Sequence, residues 1–171
     1  AQKRAFTDIA KDMSSERPMM RLVSGDVGSG KTAVAAAAAY IAVKNGYQCA
    51  LMAPTEILAT QHFNDLMPMF GRLGYGCRLL TGSTKAAEKR EITAALADGT
   101  LKLVIGTHAL ISEGIRFGKP GLVICDEQHR FGVGQRETLL EKASPKGGHA
   151  HELTMSATPI PRTLAMFLYG S

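Results

Sequence analysis

Long apolar runs are missing from this sequence. No stretch reaches the roughly 18 uninterrupted apolar residues that a membrane-crossing helix requires, and the richest run, residues 33–43, is mostly alanine. The start carries no basic-then-apolar leader with a cleavage site. These gaps lead to the expectation of a soluble, cytoplasmic protein with no membrane partner. Cysteine is scarce as well: Cys49, Cys77 and Cys125 stand far apart, each in or beside an apolar run. Such an odd, scattered set excludes a disulfide framework and predicts buried, reduced thiols. There is no internal repeat. The pair His149 and His151 has no third ligand standing out nearby, whereas a metal site needs three or four, so a metal role is not expected there.

What is present suits one compact domain. The chain has 171 residues, of which 45% are apolar, enough for a sizeable core. A formal charge of +5 permits a phosphate-rich partner without identifying one. Helical and extended patterns alternate from end to end. Phe6, Ile9, Ala10 and Met13 follow one helix face, and further helices are predicted over 31–44, 55–67, 84–97, 133–141 and 161–168. Asn45-Gly46 closes the second of these as a left-handed cap would, and Pro68 should break the end of the third. Short apolar strands are predicted at 19–23, 49–53, 77–80, 101–105, 122–125 and 153–155. Strands this short and apolar, with helices between them, imply a parallel sheet covered on both faces. The cluster Ala35–Ala39 reads as a thin helix flank packed close to that sheet.

Two segments carry chemistry. Gly25-Asp26-Val27-Gly28-Ser29-Gly30-Lys31-Thr32 matches G-x-x-x-x-G-K-[ST] at every fixed position, between a predicted strand and a predicted helix. Glycines let backbone N–H groups approach phosphate oxygens with no Cβ in the way. The helix that follows offers its free N–H groups and positive dipole end to the same anion. Lys31 would reach the β- and γ-phosphates of ATP, and Thr32 would give a hydroxyl to Mg²⁺. The second segment is the apolar run 122–125, which leads directly into Asp126, Glu127, Gln128 and His129. A buried strand ending in two carboxylates delivers them to the sheet edge where open α/β folds bind ligands. Asp126 would hold Mg²⁺ through water, and Glu127 would orient or deprotonate the attacking water. Acids also follow strands merely to cap a helix; the phosphate loop upstream favours the metal reading.

Asp-Glu-x-His after a strand resembles the DEAD/DEAH-type box of superfamily 2 helicases. Other motifs similar to theirs follow in order: Ala53-Pro54-Thr55-Glu56, Thr81-Gly82, Gly106-Thr107-His108 and Ser156-Ala157-Thr158. The longer strings LMAPTEILATQHF, DEQHRFGVGQR and MSATPIPRTLAM closely resemble the bacterial RecG/Mfd group, the RecG branch-migration and fork-regression translocases above all. An Mfd-like transcription-repair lobe is the alternative, although its box more often reads DEEH where this chain has Gln128. The resemblance implies a three-layer α-β-α, RecA-like P-loop NTPase domain spanning residues 1–171, with the second lobe and a wedge domain outside it. It implies that Lys31, Thr32, Asp126 and Glu127 are the ATPase residues and that Gln2 reads the adenine. Gln128, His129, Ser156, Ala157 and Thr158 would couple hydrolysis to movement, and Pro54, Thr55, Thr81, Gly82, Thr107 and His108 would contact the DNA backbone. Without the resemblance, these last six are loop residues and caps, and Ser156 with Thr158 is a polar strand end.

The implied partners are ATP, Mg²⁺, branched or forked DNA, and the second RecA-like lobe. A lobe lacking the partner lobe's arginines, typically worth about 10³–10⁵ in rate, should bind Mg-ATP weakly, hydrolyse it very slowly and not unwind DNA. Two competing classes remain. The first is an ordinary P-loop enzyme: a GTPase would need an N-K-x-D guanine reader, but Asn45 and Asn64 precede Gly and Asp, and a small-molecule kinase does not account for the DEQH and SAT strings. A nucleotide-binding module retained only for docking is disfavoured by the complete GKT and DE sets.

Overall fold

The computed structural model describes residues 20–24, 31–126, 133–144 and 150–156. Among them the strands are β1 (Met20–Ser24), β2 (Gln48–Met52), β3 (Cys77–Leu80), β4 (Leu103–Gly106), β5 (Pro120–Asp126) and β6 (His151–Ser156). The helices are α1 (Lys31–Lys44), α2 (Glu56–Arg72), α3 (Ala86–Ala97) and α4 (Val133–Lys142), with a 3₁₀ turn at His108–Ile111. The strands form one sheet in the order β1-β6-β5-β2-β4-β3, and every pairing is parallel. All strand carboxyl ends therefore lie along one edge. The α/β, mainly parallel architecture expected from the sequence is the one observed. The helices expected at 6–13 and 161–168 lie outside the described residues.

Apolar side chains fill both faces of the sheet, which is why its strands are continuous apolar runs and not alternating ones. One face packs Leu51, Ile105, Ile124 and Leu153 under α1 and α2. On the other, Met52, Val104, Val123 and Cys125 lie under α3, α4 and the 3₁₀ turn. In α1 the stripe Ala35, Ala38, Ala39 and Ala42 is buried. Its spacing of three and four residues makes a flat flank, and its methyl groups let the helix lie close to the sheet. Gly46, with φ at 89°, supplies the left-handed residue after that helix.

Helix α2 departs from expectation by running through Pro68 to Arg72. An interior proline removes a hydrogen bond and costs about 3 kcal/mol. Beyond it, however, Phe70 is fully buried, which contributes about 1.5–3 kcal/mol. The amides of Leu73 and Tyr75 also close onto the carbonyls of Met69 and Phe70. The last turn is held from both ends.

At the amino edge, the buried Gln48 side chain ties three segments together. Its Nε2 donates to the carbonyls of Leu96 and Leu101, and its Oε1 accepts from the Lys119 amide. The opposite edge is left for function.

All three cysteines are buried and outside any disulfide. Cys49 and Cys77 share the register partner Leu103 on the intervening strand, so their Cα atoms sit two strand spacings, about 10 Å, apart. A disulfide spans no more than about 7 Å. Burial raises the Cys49 thiol, helped by the nearby Cys77, and pushes Cys77 from 9.0 up to about 12. The thiols should therefore ignore Ellman's reagent in the native protein and react on unfolding. Because the folded-state values are raised, their contribution to stability is complete below pH 9 and is lost as pH climbs towards 12. An unfolding midpoint that stayed level across that range would count against this.

Candidate nucleotide and nucleic-acid site

The strand order sorts the predicted motifs into two groups along the carboxyl edge. β1, β6 and β5 carry the phosphate loop, the Ser156 segment and the acid pair. β2, β4 and β3 carry the three segments at Pro54, Thr107 and Thr81. Neighbours in space are thus neighbours in expected role, although the chain visits them in a different order.

On the phosphate side, β1 ends at Ser24 and α1 starts at Lys31. The linking residues Gly25, Asp26, Val27, Gly28, Ser29 and Gly30 lie outside the described set, but the required strand-then-helix frame is present. Thr32, half-buried, is the second residue of that helix. Asp126 is the last residue of β5 and is paired in register with Met155, which pairs with Val23. Two strand spacings separate β5 from β1, so the backbone of Asp126 lies about 10 Å from the strand leading into the loop. Side chains alternate along a strand. Asp126 therefore shares the face of Leu122 and Ile124, the face covered by α1 and α2.

Asp126 is 1% exposed, and a carboxylate so deep needs polar partners. One of them is His62, a residue of α2 that no sequence motif had singled out. Its Nε2 stands 2.6 Å from Asp126 Oδ2. Apolar spacing alone puts Ala59, Phe63, Leu66 and Phe70 along one side of this helix. The observed stripe is Ala59, His62, Leu66 and Phe70, with Phe63 only partly buried. The available signal was the spacing of His62, three residues after Ala59 and four before Leu66.

The other half of the edge is knit together by local bonds. The Ala53 amide donates to the Gly106 carbonyl at 2.8 Å and the Thr107 amide to the Leu80 carbonyl at 3.3 Å, continuing the ladder past the strand ends. The Thr55 hydroxyl caps α2 by accepting from the Leu58 amide. Thr81 Oγ1 donates to Glu56 Oε1 and accepts from the Ser83 amide, while Ser83 Oγ donates to Glu56 Oε2. Thr107 caps the 3₁₀ turn through the Ala109 amide. Thr81 and Thr107 are buried, with Pro54 half-buried and Thr55, Gly82 and His108 exposed. The hydroxyls thus shape the loops. Glu56, unassigned beforehand except as part of its motif, clamps two of the three segments together.

Ser156 closes β6 beside β1. Gln2, Glu127, Gln128, His129, Ala157 and Thr158 lie outside the described residues, as does His149. Among the described residues, no three His, Cys, Asp or Glu side chains group as a metal site, and no helix is long and apolar enough to cross a membrane.

Known proteins resemble this chain in sequence and fold. The chain is 55% identical over 170 residues to the ATP-dependent DNA helicase RecG of Synechocystis sp., covering 99% of this chain and 20% of that protein. It is also 55% identical to RecG of Streptococcus pneumoniae, covering 99% of this chain and 24% of that protein. It spans about a fifth to a quarter of the length of these curated relatives. A solved structure of RecG bound to a three-way DNA junction superposes with a TM-score of 0.85 at 47% identity, over 99% of this chain and 22% of that one. The similarity to RecG read from the motifs is borne out. Residues 1–167 match the family described as DEAD/DEAH box helicase, and the chain belongs to that family.

Proposed function

We propose that this chain is the ATP-binding motor lobe of a DNA translocase that hydrolyses ATP to drive branch migration and fork regression. The observation that carries this reading is the placement of Asp126. It lies on the carboxyl edge, two strands from β1 and on the sheet face covered by the helix that Lys31 opens. A triphosphate spanning that gap would meet the amino end of α1 on one side and a carboxylate on the other.

The donor chemistry fits Mg²⁺. Asp126 and Thr32 offer hard oxygens, and Mg²⁺ characteristically takes only one or two protein ligands beside phosphate and water. Bound there, the ion would neutralise phosphate charge. Lys31 would hold the terminal phosphates, and the Glu127 carboxylate would orient the attacking water and accept its proton. Gln128, His129, Ser156, Ala157 and Thr158 would relay the state of the nucleotide, and Gln2 would contact the base. The exposed Thr55, Gly82 and His108, with Pro54, Thr81 and Thr107 shaping their loops, would meet the DNA backbone. Loop amides and hydroxyls make contacts of this kind without reading sequence. The similarity to RecG, whose solved structure holds a three-way junction, supports branched DNA as the partner, a second RecA-like lobe completing the ATP site, and cytoplasmic work. Alone, the lobe would bind Mg-ATP weakly and would not unwind DNA.

Calorimetric titration of ATP into unmodified and Lys31→Ala protein tests the reading. Removing one charge-assisted phosphate contact should weaken binding by at least about tenfold. Equal affinities would favour a docking module that no longer uses the nucleotide.

A further inference from the structure

The contact between His62 and Asp126 joins the two halves of the carboxyl edge. Asp126 belongs to the phosphate half through β5. His62 belongs to α2, whose first turn carries Thr55 and Glu56 at the nucleic-acid half. Seven residues separate Thr55 from His62, about 10 Å along a rigid helix. Glu56 fixes the start of that helix to Thr81 and Ser83. A shift of the Thr55 edge carried through the helix would move the imidazole, which is hydrogen-bonded to the carboxylate.

We infer that His62 is a positioning residue, which orients Asp126 for the metal–nucleotide complex and ties that orientation to the helix bearing the nucleic-acid edge. The inference rests on the reading of Asp126 as the metal-binding carboxylate. In the metal-binding reading Asp126 acts as a carboxylate acceptor, and His62 Nε2 would then be the donor in this contact. The 2.6 Å separation is that of a short charge-assisted bond. Both side chains are buried, His62 at 8% and Asp126 at 1% exposure, so bulk water does not compete for the contact. Groups that orient a metal ligand from behind are typically worth about 10–100-fold in metal affinity or activity. His62 lies in the string LMAPTEILATQHF, at helical spacing from Ala59 and Leu66, but the string does not show its carboxylate partner.

The test uses a protein that carries this lobe together with the proposed second RecA-like lobe, and two replacements. His62→Gln keeps an N–H donor at nearly the same reach, whereas His62→Met keeps the volume and removes the donor. The first readout is the gain in ATP affinity that Mg²⁺ confers, measured by calorimetry with Mg²⁺ and with EDTA, without DNA. The second is the factor by which DNA stimulates ATP turnover. The Met form should lose about tenfold in each, and the Gln form should return to within about threefold of the unmodified protein. A Met form matching the unmodified protein in either readout overturns the inference. So does a Gln form impaired as severely as the Met form. Should the Met form fail to fold, the Gln form decides: loss of its Mg²⁺-dependent gain overturns the inference. Asp126→Asn separates the two levels. If it leaves the Mg²⁺-dependent gain intact, the reading of Asp126 fails; if it abolishes the gain while His62→Met does not, only the role of His62 fails.

Discussion

Asp126→Asn is expected to lower DNA-stimulated ATP turnover by about 10³-fold, the scale on which one charge-stabilising group acts in phosphoryl transfer. The substitution keeps the volume of a side chain that is 1% exposed. It also keeps an oxygen able to accept from His62 Nε2, so the contact now at 2.6 Å can persist. What disappears is the negative charge at the end of β5, and with it the hard anionic ligand that Mg²⁺ prefers. The packing around β5 does not depend on that charge, since Leu122, Val123 and Ile124 are buried among apolar neighbours on both faces. Steady-state hydrolysis by a protein carrying this lobe and the proposed second RecA-like lobe, with thermal unfolding as the control, reads the effect. Turnover within tenfold of the unmodified protein would remove Asp126 from the ATPase.

Gly106→Ala should be the most damaging small substitution at the half proposed to meet nucleic acid. A Cβ at Gly106 would stand 2.1 Å from the Leu80 carbonyl oxygen and 3.0 Å from Leu110 Cγ. The first obstacle is backbone and cannot rotate away, so β4 and β3 must separate locally. Overpacking of this kind costs about 3 kcal/mol, or about 10 °C in Tm for a domain of this size. The same displacement strains the bonds from Ala53 to Gly106 and from Thr107 to Leu80, which hold the Pro54 and Thr107 segments side by side. DNA affinity should therefore fall together with stability. Gly82 offers the contrast, because a Cβ there meets nothing within 4 Å. Its alanine variant should leave Tm unchanged, and equal Tm values for the two variants would refute the steric account.

The parts of this fold that were legible in the sequence are those where one local rule acts alone. Apolar runs such as 122–125 can only be buried strands here, and the alanine stripe of α1 announces a close approach to the sheet. Asn45-Gly46 marks a helix end because few residues other than glycine accept its backbone angle. Rules in competition were harder to read. Pro68 signals a stop, yet the burial of Phe70 two residues later carries the helix on. At the buried stripe of α2, positions 62 and 63 both satisfy the helical period, and hydrophobicity alone favours Phe63. A buried histidine makes sense only once β5 has brought a carboxylate to it, a contact between residues far apart in the chain. Thr81 and Glu56 likewise meet only because β3 and α2 end at one edge. Strands and caps could be read from the chain; the partnerships across the sheet edge needed coordinates.

The strand order also bears on how such a chain emerges from a ribosome. Among the described residues β1 pairs with β6, so that pairing can form only once residues 151–156 have been made. By contrast β2, β3 and β4 can zip up as soon as residue 106 has been delivered. Long-range parallel pairing is slow and leaves edges open to wrong partners. Among the described strands, the side formed by β1, β6 and β5 is thus the last to close, and the most exposed to misassembly until it does.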